Sequence, residues 1–386
     1  MDPQFPSPFT DAEYARRFQQ VREVLQANEV PAVVLYGNRG AAGLIPYLSN
    51  FNPRWDAFLV VPVEGDPTLL VQLYNHTPNA RRVSRLSDTR WGGGDSVETL
   101  ARELQSRGLA QGALGLSGPL SYQLYGRLQR ALPEVGWKDL SQAMVRLRWV
   151  KSDEEINLMR RAAELTDLAV KALVEGVRPG LTDKELPALM EAAVAPLGGK
   201  IDLCYLASTP MGAPSICVPA QNYANRKIEK GDVIITEIGI GWKGYAGQMH
   251  RPIAVGEAPT AEYRRLYEVA QEAYQRIVRA IKPGASGEDV WDAADCIAES
   301  GFSIYDDLVH GFGGGYLAPV LRTRQTAHGK LEPFVFEKNM CVVVQPNVIS
   351  PDERMGVQLG NLHVVTETGL ESLHCYPLEF AISSPM

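Results

Sequence analysis

Gly231-Asp232-Val233-Ile234-Ile235-Thr236-Glu237-Ile238-Gly239-Ile240-Gly241-Trp242-Lys243-Gly244-Tyr245 is the stretch on which the fold of this 386-residue chain turns. Its β-branched run, bounded by glycine on both sides, predicts a strand over 233–240, and the glycines flanking Trp242 and Lys243 predict a tight turn. Residues 245–255 then return as a second strand, which makes the segment a hairpin. On that returning strand the period of two puts Ala246, Gln248 and His250 on one face and Tyr245, Gly247 and Met249 on the other. A Glu on the neighbouring strand, facing a Gln and a His, is a polar group that a core holds only with partners. Two readings stand at this point, a satisfied structural network and a working site.

Working outward, Ser152-Asp153-Glu154-Glu155 is a capping box that starts a long amphipathic helix, and Thr182-Asp183-Lys184-Glu185 and Ser286-Gly287-Glu288-Asp289 signal two further helix starts. Another helix is predicted over 261–281, and strands over 340–344 and 362–366. Helices before and between antiparallel strand pairs predict an α+β domain over residues 151–386. Before it, Thr10-Asp11-Ala12-Glu13 opens a helix, and the β-rich runs 32–36, 57–61 and 68–71 alternate with helical stretches. This predicts a small α/β domain over residues 1–150, with the boundary at Arg146-Leu147-Arg148-Trp149-Val150-Lys151.

Composition narrows the function classes. A chain of 386 residues exceeds one ordinary core, and 45% hydrophobic with 22% charged residues suits a folded protein. The net charge of −7, without any block of Lys and Arg, argues against nucleic acid and anionic membranes as partners. No run reaches the ~18–20 apolar residues of a membrane helix, and the start Met1-Asp2-Pro3-Gln4 lacks a signal-peptide pattern, so a cytoplasmic location is expected. Cys204, Cys217, Cys296, Cys341 and Cys375 form no C-x-x-C pair and are expected to be reduced thiols.

Together the hairpin, Lys151-Ser152-Asp153-Glu154-Glu155-Ile156, His310-Gly311-Phe312-Gly313, Val344-Gln345-Pro346 and Val364-Val365-Thr366-Glu367-Thr368-Gly369 resemble the pita-bread fold of aminopeptidase P, prolidase and creatinase. Tyr47-Leu48-Ser49-Asn50-Phe51, with Arg54 and 57–61, is similar to that family's N-terminal domain. The resemblance implies a homodimer. Metallopeptidases of the family hold two divalent ions with carboxylates and a histidine, and the matching positions here are Glu237, Gln248, Gly314, Gln345 and Gly360. Amides and glycines cannot balance the charge of a paired site, so neither a metal nor any other cofactor is expected.

Creatinase, a metal-independent member, is the closest precedent that the resemblance implies, although its catalytic histidine falls on Gly212-Ala213-Pro214-Ser215-Ile216-Cys217. The expected function is a metal-independent, creatinase-like hydrolase of a C–N bond in a small amino-acid-like substrate. His250 is the candidate general base and Glu237 its orienting partner. Gln248 and Gln345 are candidate oxyanion donors, and Arg54 a candidate clamp for a substrate carboxylate, acting across a dimer interface. His310, Asn361 and Arg322 complete the candidate substrate contacts. The alternatives are a non-catalytic pseudoenzyme that binds a peptide or partner and, should the ligand positions be misaligned, a metal-dependent Xaa-Pro dipeptidase. His363 reads as structural, and His76, His328 and His374 carry no assigned role.

Overall fold

The computed structural model describes residues 6–40, 43–327 and 333–383, so His328 lies outside the described residues. The chain divides into two compact units, Met1–Arg148 and Trp149–Met386.

In the first unit β1 (Ala32–Gly37), β2 (Ala57–Pro62), β3 (Thr68–Val71), β4 (Asp88–Trp91), β5 (Gly112–Ser117) and β6 (Val135–Asp139) form one sheet in the order β4-β3-β2-β1-β5-β6. Both faces of β1 and β2 are buried, which is why these strands read as unbroken apolar runs rather than as alternation. At the opening helix, Asp11–Ala27, Thr10 caps the Glu13 N–H at 3.2 Å, but the Glu13 carboxylate turns to Arg16 and Arg17 instead of completing the box. Two guanidinium groups hold that carboxyl below its usual range against the opposing effect of burial.

In the second unit β7 (Lys200–Pro210), β8 (Asp232–Trp242), β9 (Tyr245–Ala246), β10 (Met249–His250), β11 (Ile253–Val255), β12 (Val309–Phe312), β13 (Tyr316–Leu321) and β14 (Cys341–Val344) supply most of a large sheet. β15 (Asn347–Ile349) and β16 (Gly356–Gln358) pair separately, and β17 (Gly360–Val365), β18 (Leu370–Ser372) and β19 (Ala381–Ser383) join the large sheet. Its main path runs β13-β12-β14-β17-β10-β8-β11-β19.

The hairpin forms as its glycines predict. Trp242 pairs with Tyr245 across a two-residue turn in which Lys243 and Gly244 have φ of 50° and 87°, the double positive φ of a type I′ turn. The return is three short pieces rather than one strand, yet the register never slips: Gly241 faces Ala246, Ile238 faces Met249 and Ile234 faces Ile253. At the break the Ile240 N–H leaves the ladder and donates to Thr166 Oγ1 at 3.1 Å, on the helix Asp153–Gly176. That helix begins with the full capping box of Ser152 and Glu155. Its Leu165, Val170 and Leu173 pack with Ile234, Ile238, Ile240 and Met249, and the helix Ala261–Ala280 covers Val342, Val344 and Val357.

Candidate functional site

Strand parity builds the site. Because Ile234, Ile238 and Ile240 point into the helix-packed core, Glu237 and Gly239 point the other way and line a cavity of about 520 Å³. On the return Met249 occupies the core, so Gln248 faces the cavity. Continuing the hairpin register puts His250 opposite Glu237 and Gln248 on the diagonal, within reach of a long side chain.

A hydrogen-bonded relay follows. Gln248 Nε2 donates to Glu237 Oε1 at 2.8 Å and to Gln345 Oε1 at 3.3 Å. Gln345 Nε2 donates to Asp307 Oδ1 at 3.2 Å, and the Tyr316 hydroxyl donates to Asp307 Oδ2 at 2.6 Å. Gln358 Nε2 donates to Asp306 Oδ2 at 2.9 Å. Burial, reinforced by the charge of Asp306, pushes the Glu237 carboxyl up to about 7. Burial likewise pushes Asp307 up to about 6, against the attraction of His310. Glu237 therefore exchanges its proton near neutral pH, the property a group handling water or a leaving group needs.

The other predicted residues fall in different places. His250 is fully buried, with Nε2 3.8 Å from Glu237 Oε1 and neither ring nitrogen hydrogen-bonded; it stands outside the cavity wall, and burial favours its neutral form. Both N–H bonds of the Gln248 amide are engaged within the relay, which leaves its Oε1, not a donor, without a partner. His310 is buried with Nε2 3.2 Å from Gln345 Oε1 and its ring stacked on Tyr316 at 4.2 Å. Asn361 does not face the cavity: it pairs with Met249, so its side chain lies on the core side and its Oδ1 accepts from Arg251 Nη2 at 2.9 Å. Arg322 lines the cavity and donates to the Tyr305 carbonyl at 2.8 Å. Arg54 is an exposed residue of the first unit.

Sequence reasoning missed Asp306 and Asp307. The signal was available as two adjacent acidic residues directly before the β12 run, with Asp307 only 3% exposed. A carboxylate at the mouth of an apolar strand is either solvated or built into a site.

A dinuclear metal centre of the kind the resemblance implies does not fit these residues. Among the described residues no group of three or more His, Cys, Asp or Glu side chains could hold a metal ion. The amides of Gln248 and Gln345 direct N–H donors at Glu237 and Asp307, and a cation between them would meet those donors. At position 360 a Cβ would lie 2.5 Å from the Val344 carbonyl oxygen and 2.9 Å from His250 Nδ1, so a carboxylate has no room there. Gly314 lies in the turn between β12 and β13, and the histidine that reaches the cluster is His310, from β12 itself.

Comparison with known proteins gives the ancestry. Residues 17–150 match the creatinase/prolidase N-terminal domain, and residues 157–367 match metallopeptidase family M24. The Xaa-Pro dipeptidase of Pyrococcus furiosus is 24% identical over 328 residues, covering 85% of this chain and 89% of its own. The uncharacterized peptidase YqhT of Bacillus subtilis is 26% identical over 367 residues, covering 90% and 98%. The crystal structure of the Pyrococcus horikoshii prolidase superimposes with a TM-score of 0.81 at 21% identity, covering 95% of this chain and 99% of that one, which shows a shared fold. These relatives overturn the expected metal-independent, creatinase-like C–N hydrolase: Xaa-Pro dipeptidases are among the proteins this chain resembles, and they favour the dipeptidase alternative. The resemblance itself holds at the level of scaffold and domain order, and by its match over more than half of its length the chain belongs to metallopeptidase family M24.

Proposed function

We propose that this protein is a hydrolase of the dipeptidase kind, with a dipeptide or dipeptide-like small molecule as substrate in the hairpin cavity. The observation that carries this reading is the cavity itself. It has a volume of about 520 Å³, inside the roughly 300–1,000 Å³ of small-molecule sites, and it is built on the hairpin of a scaffold shared with Xaa-Pro dipeptidases. Glu237, at the cavity wall with its carboxyl near 7, is the group that would hold or move a proton there. Arg322, at the same wall, would attract the carboxylate end of a dipeptide. A homodimer, implied by the resemblance, belongs to the same proposal; a monomer in sedimentation velocity would remove it.

A second reading, binding of the same ligand without turnover, is favoured by one feature: the amides at 248 and 345 and the crowding at Gly360 remove the metal ligands on which the family's chemistry is built. One experiment separates the two. Purified protein is incubated with Ala-Pro and Gly-Pro, in chelator and in added Mn²⁺, and free proline is followed by chromatography while calorimetry follows binding. Proline release supports the hydrolase, and saturable binding without release supports the second reading. Neither binding nor release refutes both.

A further inference from the structure

Two buried threonine hydroxyls stand where a regular hairpin has backbone partners, and they bracket the residues that face Glu237. Counted from the turn, the register makes Trp242–Tyr245, Ile240–Gly247, Ile238–Met249 and Thr236–Arg251 the pairs that exchange both N–H···O=C bonds in a regular antiparallel ribbon. At Ile240–Gly247 one of the two survives: the Gly247 N–H donates to the Ile240 carbonyl at 3.1 Å, while the Ile240 N–H goes to Thr166 Oγ1 at 3.1 Å. At Thr236–Arg251, which no ladder pair joins, Thr236 Oγ1 accepts from the Arg251 N–H at 3.2 Å and donates to the Arg251 carbonyl at 2.8 Å. Thr166 and Thr236 are both 0% exposed. Between the two substitutions lie Gln248, Met249 and His250.

The first substitution turns a peptide toward the site. Thr166 donates to the Ala162 carbonyl at 2.9 Å, so the helix Asp153–Gly176 fixes where its hydroxyl stands. A Cβ on Gly247 would lie 2.6 Å from Thr166 Oγ1 and 2.7 Å from Ala163 Cα, so the return strand runs against the helix with no side chain between them. Having given up the Ile240 N–H, the Gly247 carbonyl lies on the cavity side of the ladder: its oxygen is 2.8 Å from where a Cβ of Gly239 would stand, and Gly239 lines the cavity. That carbonyl shares a peptide plane with the Gln248 N–H, so its tilt sets the direction in which the Gln248 side chain leaves the strand. Such a departure from ladder geometry re-aims a side chain as a β-bulge does. Gln248 emerges with Nε2 2.8 Å from Glu237 Oε1. We propose that Thr166 is a positioning residue of the cavity: by taking the Ile240 N–H out of the ladder it aims the Gln248 amide at Glu237, and Thr236 holds the far end of the same segment. The consequence for a ligand rests on the reading of the cavity as the substrate site; the aim of the amide does not.

The test uses the full chain with Thr166→Val, which keeps the shape and loses the hydroxyl, and Thr166→Ser, which keeps the hydroxyl. NMR reads the exchange of side-chain amide protons with solvent for Gln248 and, as a control in the same unit, for Asn347, a fully buried amide that donates to the Cys217 and Val357 carbonyls. Relative to Asn347, exchange at Gln248 should rise by about tenfold or more in Thr166→Val and stay within about threefold of the parent in Thr166→Ser. A loss of overall stability speeds both amides together, so equal acceleration, or none, overturns the proposal. If Thr166→Val fails to fold, Thr236→Val is read against the same two outcomes. Calorimetry with Ala-Pro carries the inference to the ligand: Kd should rise about fivefold or more in Thr166→Val and return to within about twofold of the parent in Thr166→Ser. An unchanged Kd alongside a loosened Gln248 amide overturns the proposal. If the parent itself binds no Ala-Pro, the dipeptide reading is lost and the exchange comparison alone decides this inference.

Discussion

Replacing Glu237 with Gln tests the electrostatics of the cavity directly. The folded chain holds the Glu237 proton to about 7, against an ordinary glutamate value of 4.5, because the carboxyl is buried and faces the charge of Asp306. A carboxyl whose pKa is raised by folding stabilises the fold fully below its unfolded value, and that stability is lost as pH rises through the folded value. At 1.36 kcal/mol per unit, the displacement of about 2.5 units corresponds to about 3 kcal/mol in total, of which roughly 2.5 appears between pH 5 and pH 8. Glu237→Gln is neutral at every pH and lacks this component. Urea unfolding of both proteins at pH 5, 6, 7 and 8 reads the difference. The variant should gain on the parent by roughly 2.5 kcal/mol from pH 5 to pH 8, with most of the gain complete by pH 7. Asp307, raised to about 6, contributes a similar slope at lower pH in both proteins and largely cancels. A stability difference flat to within about 0.5 kcal/mol across that range would refute the argument and mean that Glu237 is ionised in the fold at neutral pH.

Two further outcomes follow from the same geometry. Gly360→Ala places a Cβ 2.5 Å from the Val344 carbonyl oxygen, which the β14–β17 ladder cannot move easily, and should destabilise by about 2–3 kcal/mol in urea unfolding; a loss under about 0.5 kcal/mol would mean that position 360 has room for a side chain. Protein equilibrated with Mn²⁺ and then passed through gel filtration should retain under ~0.1 equivalent of metal per chain by plasma mass spectrometry. One or two retained equivalents would show that the residues do fit a metal.

The hairpin was legible because its information is local: glycines at the turn, a β-branched run and a period of two suffice to put Glu237 and Gln248 on one side. The same alternation could not say which side of a neighbouring strand Asn361 faces, since that depends on β10 pairing with β17 across more than 100 residues. Asn361 takes the core side, where Arg251 needs it. That guanidinium is completely buried, its pKa lowered by burial to about 10, and it donates to the carbonyls of His250, Gly360, Tyr376 and Pro377 as well as to Asn361. An Arg next to His250 in sequence gives no local hint of that role. Asp306 and Asp307 stayed unread for a related reason: a loop carboxylate becomes part of a site only when a strand carries it inward, and no periodicity encodes that.

The two glutamines change how the carboxylate-rich cavity balances donors and acceptors among its own residues. Carboxylates at 237, 248, 306, 307 and 345 would place five acceptors around one space, each raising the others' pKa and none able to donate. With Gln at 248 and 345 every neighbouring pair in the relay becomes donor to acceptor: Gln248 to Glu237, Gln248 to Gln345, Gln345 to Asp307. The relay closes at one end on the Tyr316 hydroxyl and leaves one acceptor open at the other, the Gln248 carbonyl.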